Sequence, residues 1–143
     1  MSACIKLVAE KRDRAGSWER IDFKPEWYAY DIYGVLADQR NYACAPVIAG
    51  PRHVPEDWPA EPPEKPWPEF LAWEALYDLG DGVKSWLSMR ELLDFDYDQT
   101  FTNCRPPDDG QVMTVREHLG DAFFDDLQQM QALGVERIVF RIG

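Results

Sequence analysis

Apolar and polar positions first organise themselves near the N-terminus. Cys4-Ile5-Lys6-Leu7-Val8-Ala9-Glu10 is rich in β-favouring residues with loose alternation, and it runs into the charged turn Lys11-Arg12-Asp13-Arg14-Ala15-Gly16. Ser17-Trp18-Glu19-Arg20-Ile21-Asp22-Phe23 then alternates, with Trp18, Ile21 and Phe23 as its larger apolar members. Two such runs joined through a glycine-containing loop predict a β-hairpin, which Pro25 ends. From Trp27 to Asp38 the period changes: Tyr30, Tyr33, Val35 and Leu36 recur at helical spacing, predicting a short helix packed on the hairpin.

Residues 46–68 hold eight of the eleven prolines, which remove backbone donors and restrict the residues before them. Neither helix nor central strand is expected there. The interleaved Trp58 and Trp67 predict an ordered loop strapped across the body. Beyond it, Phe70, Trp73, Leu76 and Leu79 fall at three- and four-residue steps, an amphipathic helix stopped by Gly80 and Gly82. Ser88-Met89-Arg90-Glu91 and Thr114-Val115-Arg116-Glu117 both fit the capping box, where a hydroxyl and a Glu satisfy each other's orphan backbone donors. The first opens a short helix through Leu93. The second opens a helical region reaching Leu133, broken near Gly120 and closed by Gly134. Val135 to Ile142 reads as a terminal strand. Strands at both ends with helices between them predict an α+β fold over residues 1–143 as one domain. Its small antiparallel sheet, the hairpin plus the terminal strand, is covered by helices.

Charge then narrows the function classes. The 143 residues carry 15 basic and 26 acidic side chains, a formal charge of −11. A general nucleic-acid grip is not expected, because such binding needs a basic face to release counterions from phosphate. Hydrophobic residues at 45% and aromatics at 13% are too abundant for a disordered acidic tail. No apolar stretch reaches a membrane span, and no signal-peptide core is visible, so the expected location is the cytoplasm. Cys4, Cys44 and Cys104 are odd in number and far apart, which argues for buried or partly buried free thiols.

Familiar catalytic patterns are incomplete. Asp94-Phe95-Asp96-Tyr97-Asp98 begins like a calcium loop but has Gln99 at the glycine position and Arg105 where a bidentate Glu belongs. Asp96-Tyr97-Asp98-Gln99-Thr100 matches the DxDxT pattern of haloacid-dehalogenase-like phosphatases, in which the first Asp is nucleophile and the second a general acid. Here a capped helix stands where the pattern needs a hydrophobic strand, and no lysine follows Lys84. A solvated turn with Phe95 and Tyr97 in the core is expected instead. His118 reads as a surface or capping histidine, while His53 lies in the proline loop beside Arg52. No glycine-rich phosphate loop occurs. Trp27, Tyr28, Tyr30 and Tyr33 read as core aromatics rather than a stacking platform.

The order of short segments is more informative. Arg40-Asn41-Tyr42, Arg52-His53-Val54-Pro55-Glu56-Asp57, Ser85-Trp86-Leu87-Ser88-Met89-Arg90-Glu91-Leu92-Leu93, Phe95-Asp96-Tyr97 and Arg137-Ile138-Val139-Phe140 follow one another along the chain. In this series the protein resembles an uncharacterised family of small proteins encoded by bacteriophages and prophages, for which no activity is established. His53 stands where that family has Gly, and Tyr97 where it has Trp. The resemblance implies a phage accessory protein.

Arg40, Arg52, Arg90 and Arg105 lie in or beside irregular segments, and arginine with Trp or Tyr in a pocket suits a small planar anion. The expected site therefore draws on Arg40, Asn41, Arg52, His53, Ser85, Trp86, Tyr97 and Arg105. It has no catalytic residue, no metal and no cofactor. The expected function is non-enzymatic: a phage protein that counters bacterial defence by sequestering a nucleotide-derived immune signal, with a homo-oligomer as a corollary. One alternative is an acidic, DNA-mimic-like inhibitor of a host defence protein. Another is a small nucleotide-processing enzyme using His53 or Asp96 and Asp98.

Overall fold

The expected hairpin forms, and its turn places Gly16 at φ +84°, a conformation that glycine adopts without a Cβ penalty. The computed structural model describes residues 2–62 and 67–143. In chain order the elements are β1 (Ile5–Arg12), β2 (Trp18–Ile21), α1 (Tyr30–Ala37), α2 (Trp67–Tyr77), β3 (Val83–Ser88) and α3 (Met89–Asp94). They continue with β4 (Thr100–Thr102), β5 (Val112–Thr114), α4 (Val115–Leu119), α5 (Asp121–Ala132) and β6 (Arg137–Ile142). The architecture is α+β: an antiparallel sheet in the order β2-β1-β6-β3 packs against helices, and β4 and β5 form a separate two-stranded ribbon.

The terminal strand β6 lies inside the sheet, with Leu7 opposite Phe140 on one side and Leu87 opposite Ile138 on the other. Both of its edges are therefore paired, and both of its faces are packed, which fits its near-continuous apolar run. Alternation divides the sheet into two sides. Leu7, Ala9, Leu87, Ile138, Phe140 and Ile142 join Val35, Leu36, Leu92, Phe123, Leu127 and Met130 in the main core. On the opposite side Val8 and Val139 pack with Trp58 and Leu79, flanked by Val54, Tyr77 and Trp86. The proline-rich segment supplies this second layer. His53 donates its backbone N–H to the Lys84 carbonyl at 3.0 Å, and the Trp58 indole donates to the Tyr77 carbonyl at 3.2 Å. Residues 63–66, within the expected loop, lie outside the described residues.

Both capping boxes form: Ser88 and Thr114 each accept the N3 backbone N–H, while Glu91 and Glu117 reach back to the cap. Gly120, at φ +83°, breaks the following helical region into α4 and α5. Several boundaries differ from expectation. α1 begins at Tyr30 rather than Trp27, because Ala29 is extended at φ −85° and ψ 134°; the Trp27 indole donates to Asp126 at 2.9 Å. α2 starts at Trp67 and takes in Pro68, a residue tolerated in a first helical turn. It stops at Tyr77, and Leu79 is released to pack under the sheet. β3 and the β4–β5 ribbon have no counterpart among the expected elements. Among the described residues no helix is long and apolar enough to cross a membrane.

Three expectations about side chains are overturned, the first being Tyr28, which is 75% exposed rather than part of the core. All three cysteines are exposed rather than buried, since each sits in backbone outside the core layers. His118 is not a surface histidine: its side chain is 4% exposed, turned between Asp31 and the edge of Phe101.

Candidate ligand-binding cleft

The covered side of the sheet opens at the hairpin end into a cavity of about 790 Å³, lined among others by Arg12, Trp18, Arg52, Trp86, Glu136 and Arg137. Strand register builds its floor. Arg137 opens β6 directly opposite Glu10 of β1 and Ser88 of β3. Its guanidinium donates Nε–H to Glu10 Oε1 at 2.8 Å and an Nη1–H to Asp57 Oδ1 at 2.8 Å. The same group lies 3.7 Å from the Trp18 ring centroid, and the Arg12 guanidinium lies 4.8 Å from it. The Trp18 indole donates to Asp57 Oδ2 at 2.6 Å. Burial pushes the Asp57 carboxyl upward, but the bonds from Arg137 and Trp18 outweigh it and hold the group below its ordinary range.

The far wall is Trp86, with the Arg52 guanidinium 4.9 Å from its ring centroid. Arg52 grips Glu91 with both arms of its fork, and its backbone N–H donates to Ser85 Oγ at 3.0 Å. The Arg52 hydrogen bonds, with smaller help from Ser88, hold the Glu91 carboxyl down at about 2 against the opposing pull of burial. A depressed folded value means the pair stabilises the protein above Glu91's unfolded value near 4.5, and that contribution is lost as pH falls towards 2. Glu91→Gln, which keeps a capping-box side chain, is expected to lower stability at neutral pH and flatten its decline across this acid window. Urea midpoints measured across the window check this; an acid limb as steep as the unmodified protein's would contradict it.

The cleft's charge is balanced. Arg12, Arg52 and Arg137 face Glu56, Asp57 and Glu136 across the same space. The arrangement offers indole faces and forked donors, but a strongly charged ligand must compete with carboxylates already in place. This favours a planar ring with modest charge over a polyphosphate.

The expected site residues fall into separate groups. Arg52 and Trp86 line the cleft, and Ser85, fully buried, positions the Arg52 backbone. His53, in the left-handed region at φ +68°, lines an adjoining cavity of about 600 Å³ with Trp58, Trp73 and Lys84. Arg40, Asn41 and Arg105 form a second group. Arg40 lies 5.6 Å from the Tyr30 ring centroid and Arg105 5.8 Å from that of Tyr42. Asn41 closes its own turn, exchanging hydrogen bonds with the Ala45 backbone at 2.9 and 3.0 Å. Tyr97 is in the core, where burial pushes its hydroxyl up and it donates to the Leu92 carbonyl at 2.6 Å. Arg90 makes an exposed ion pair with Asp94.

Asp98 is held by Arg116 at 2.8 Å and Asp96 accepts the Asp98 backbone N–H, the solvated turn expected of this stretch. Trp18, Arg12 and Arg137 are cleft residues that local reading passes over. The available signal was a Trp at the start of an edge strand and an Arg opening a buried one. Among the described residues no group of three or more His, Cys, Asp and Glu side chains is arranged to hold a metal ion. No protein family, curated protein or solved structure matches this chain.

Proposed function

We propose that this chain is a non-enzymatic binding protein that holds a small planar anion of nucleotide type in the cleft between Trp18 and Trp86. One observation carries the reading: two indoles and three guanidinium groups converge on a single cavity of about 790 Å³, a volume typical of small-molecule sites. A base stacks on Trp86, and Arg52, already oriented by Ser85 and Glu91, turns part of its fork to the ligand's phosphate. The resemblance to phage and prophage proteins supplies the setting, in which such binding sequesters a nucleotide-derived signal of bacterial defence.

Titration calorimetry with cyclic dinucleotides and cyclic ADP-ribose isomers tests it. Binding of at least one is expected, with Trp86→Ala weakening it about 10-fold or more, as loss of a base–aromatic stack does. Trp86 is partly buried against the second core layer, so thermal unfolding of the variant is measured alongside its binding to separate lost affinity from lost folding. No binding by any of these ligands, or an affinity indifferent to Trp86→Ala, would remove the reading.

A further inference from the structure

Two of the exposed cysteines, 60 positions apart as 104 − 44, are neighbours in space. The Cys104 backbone N–H donates to the Ala43 carbonyl at 3.0 Å, directly beside Cys44, which sets the two cysteines side by side; the Cys44 thiol lies 4.0 Å from the Tyr42 carbonyl and the Cys104 thiol 3.8 Å from the Thr102 carbonyl. Both lie on backbone that is held in place. Asn41 pins the turn through Ala45, with Cys44 at φ +60°, and the other loop is closed by Asn103 bonding Gln111 and Gly110, each at 2.8 Å. Cysteines on adjacent, pinned backbone stand where side-chain rotation can bring their sulfurs together. Cys4 is elsewhere, against the Gly143 carbonyl.

We propose that Cys44 and Cys104 are a reversible dithiol–disulfide pair, oxidised by exchange with low-molecular-weight disulfides and joining the turn after α1 to the loop between β4 and β5. In the first step the thiolate of one cysteine attacks a sulfur of the small disulfide, forming a mixed disulfide and releasing one small thiolate. The second cysteine, as thiolate, then attacks the protein-bound sulfur and expels the other. Two electrons pass to the small disulfide, and the two cysteine protons go to it or to solvent. The neighbouring Cys104 thiol raises the pKa of Cys44, so a smaller fraction of Cys44 is thiolate while both cysteines are reduced. Oxidation fixes the loops that carry Arg40, Tyr42 and Arg105. It thereby controls the second arginine–aromatic group, independently of the cleft between Trp18 and Trp86.

The full chain is equilibrated with reduced and oxidised glutathione at rising oxidised fraction, trapped by alkylation and read by intact mass and peptide mapping. Three alkylated thiols are expected under reducing conditions and one, Cys4, under oxidising conditions, with a linked Cys44–Cys104 peptide. Closing a loop of this length raises Tm by roughly 10 °C, reversed by dithiothreitol. Cys44→Ser and Cys104→Ser each abolish the link and the Tm rise, while Cys4→Ser changes neither. Persistence of three free thiols, glutathione adducts with no internal link, or loss of the link in Cys4→Ser would overturn the proposal.

Discussion

Replacing Arg137 by alanine is expected to destabilise the protein by about 3–5 kcal/mol, the cost of stranding a buried charge. Arg137 is 6% exposed and Glu10 5%. Water cannot easily replace the guanidinium that the Glu10 carboxylate loses. The same side chain also anchors Asp57 of the proline-rich segment and covers the ring of Trp18, so one truncation loosens β1, β2, β6 and the strap together. Asp57→Asn is expected to cost no more than about 1 kcal/mol, because this carboxylate's side chain is 53% exposed and rehydrates. Replacing Glu10 by leucine and Arg137 by methionine together is expected to recover most of the Arg137→Ala loss, since no buried charge then remains unpaired. Urea denaturation of the single and double variants measures all three. An Arg137→Ala cost below about 1 kcal/mol would show that the pair is solvated in solution.

Phe123→Ala is expected to cost a comparable amount, about 3–5 kcal/mol, for a different reason. Phe123 is 1% exposed at the centre of a ring cluster, with centroids 5.1 Å from Trp27, 5.2 Å from Phe124 and 6.0 Å from Tyr97. Trp27 and Tyr97 come from different parts of the chain and are fixed by their own hydrogen bonds, Trp27 to Asp126 and Tyr97 to the Leu92 carbonyl. They cannot collapse freely into the vacated space, so a cavity remains. Phe124→Ala, one residue along on the half-buried side of α5, is expected to cost about half as much. Thermal unfolding, followed by near-ultraviolet circular dichroism to report on Trp27, separates the two. Equal losses would mean that the cluster repacks around the deletion.

The parts of the fold legible beforehand were those written in neighbouring residues. The hairpin follows from alternation on either side of a glycine turn. The starts of α3 and α4 follow from a hydroxyl and a glutamate three positions apart, and the interruption between α4 and α5 from Gly120. β3 escaped because Val83-Lys84-Ser85-Trp86-Leu87-Ser88 is short, runs straight into a capping box, and becomes a strand only by pairing with β6. Strands β4 and β5 are shorter still, and neither has a pattern that can be told from a loop.

The cleft was half legible. Arg52 stood out as an arginine on an irregular segment, and Trp86 through the Ser85-Trp86-Leu87 segment of the family resemblance. Trp18 and Arg137 read as ordinary strand residues, and Arg40, Asn41 and Arg105, grouped with Arg52 by residue type, proved to lie with Tyr30 and Tyr42 instead.

By itself, then, the sequence determined the α+β class, the helix caps, the strand at each end and the acidic character of the chain. Each depends on intrinsic conformational preference or on contacts within a few residues, which hold in any tertiary setting. Tertiary structure alone decided that β6 lies inside the sheet, that Glu10 meets Arg137 across 127 positions, and that Cys44 meets Cys104. Such juxtapositions depend on which strand edges and loops come together. Local pattern carries no record of that choice, because the free energy that settles it comes from burying the two faces of the sheet.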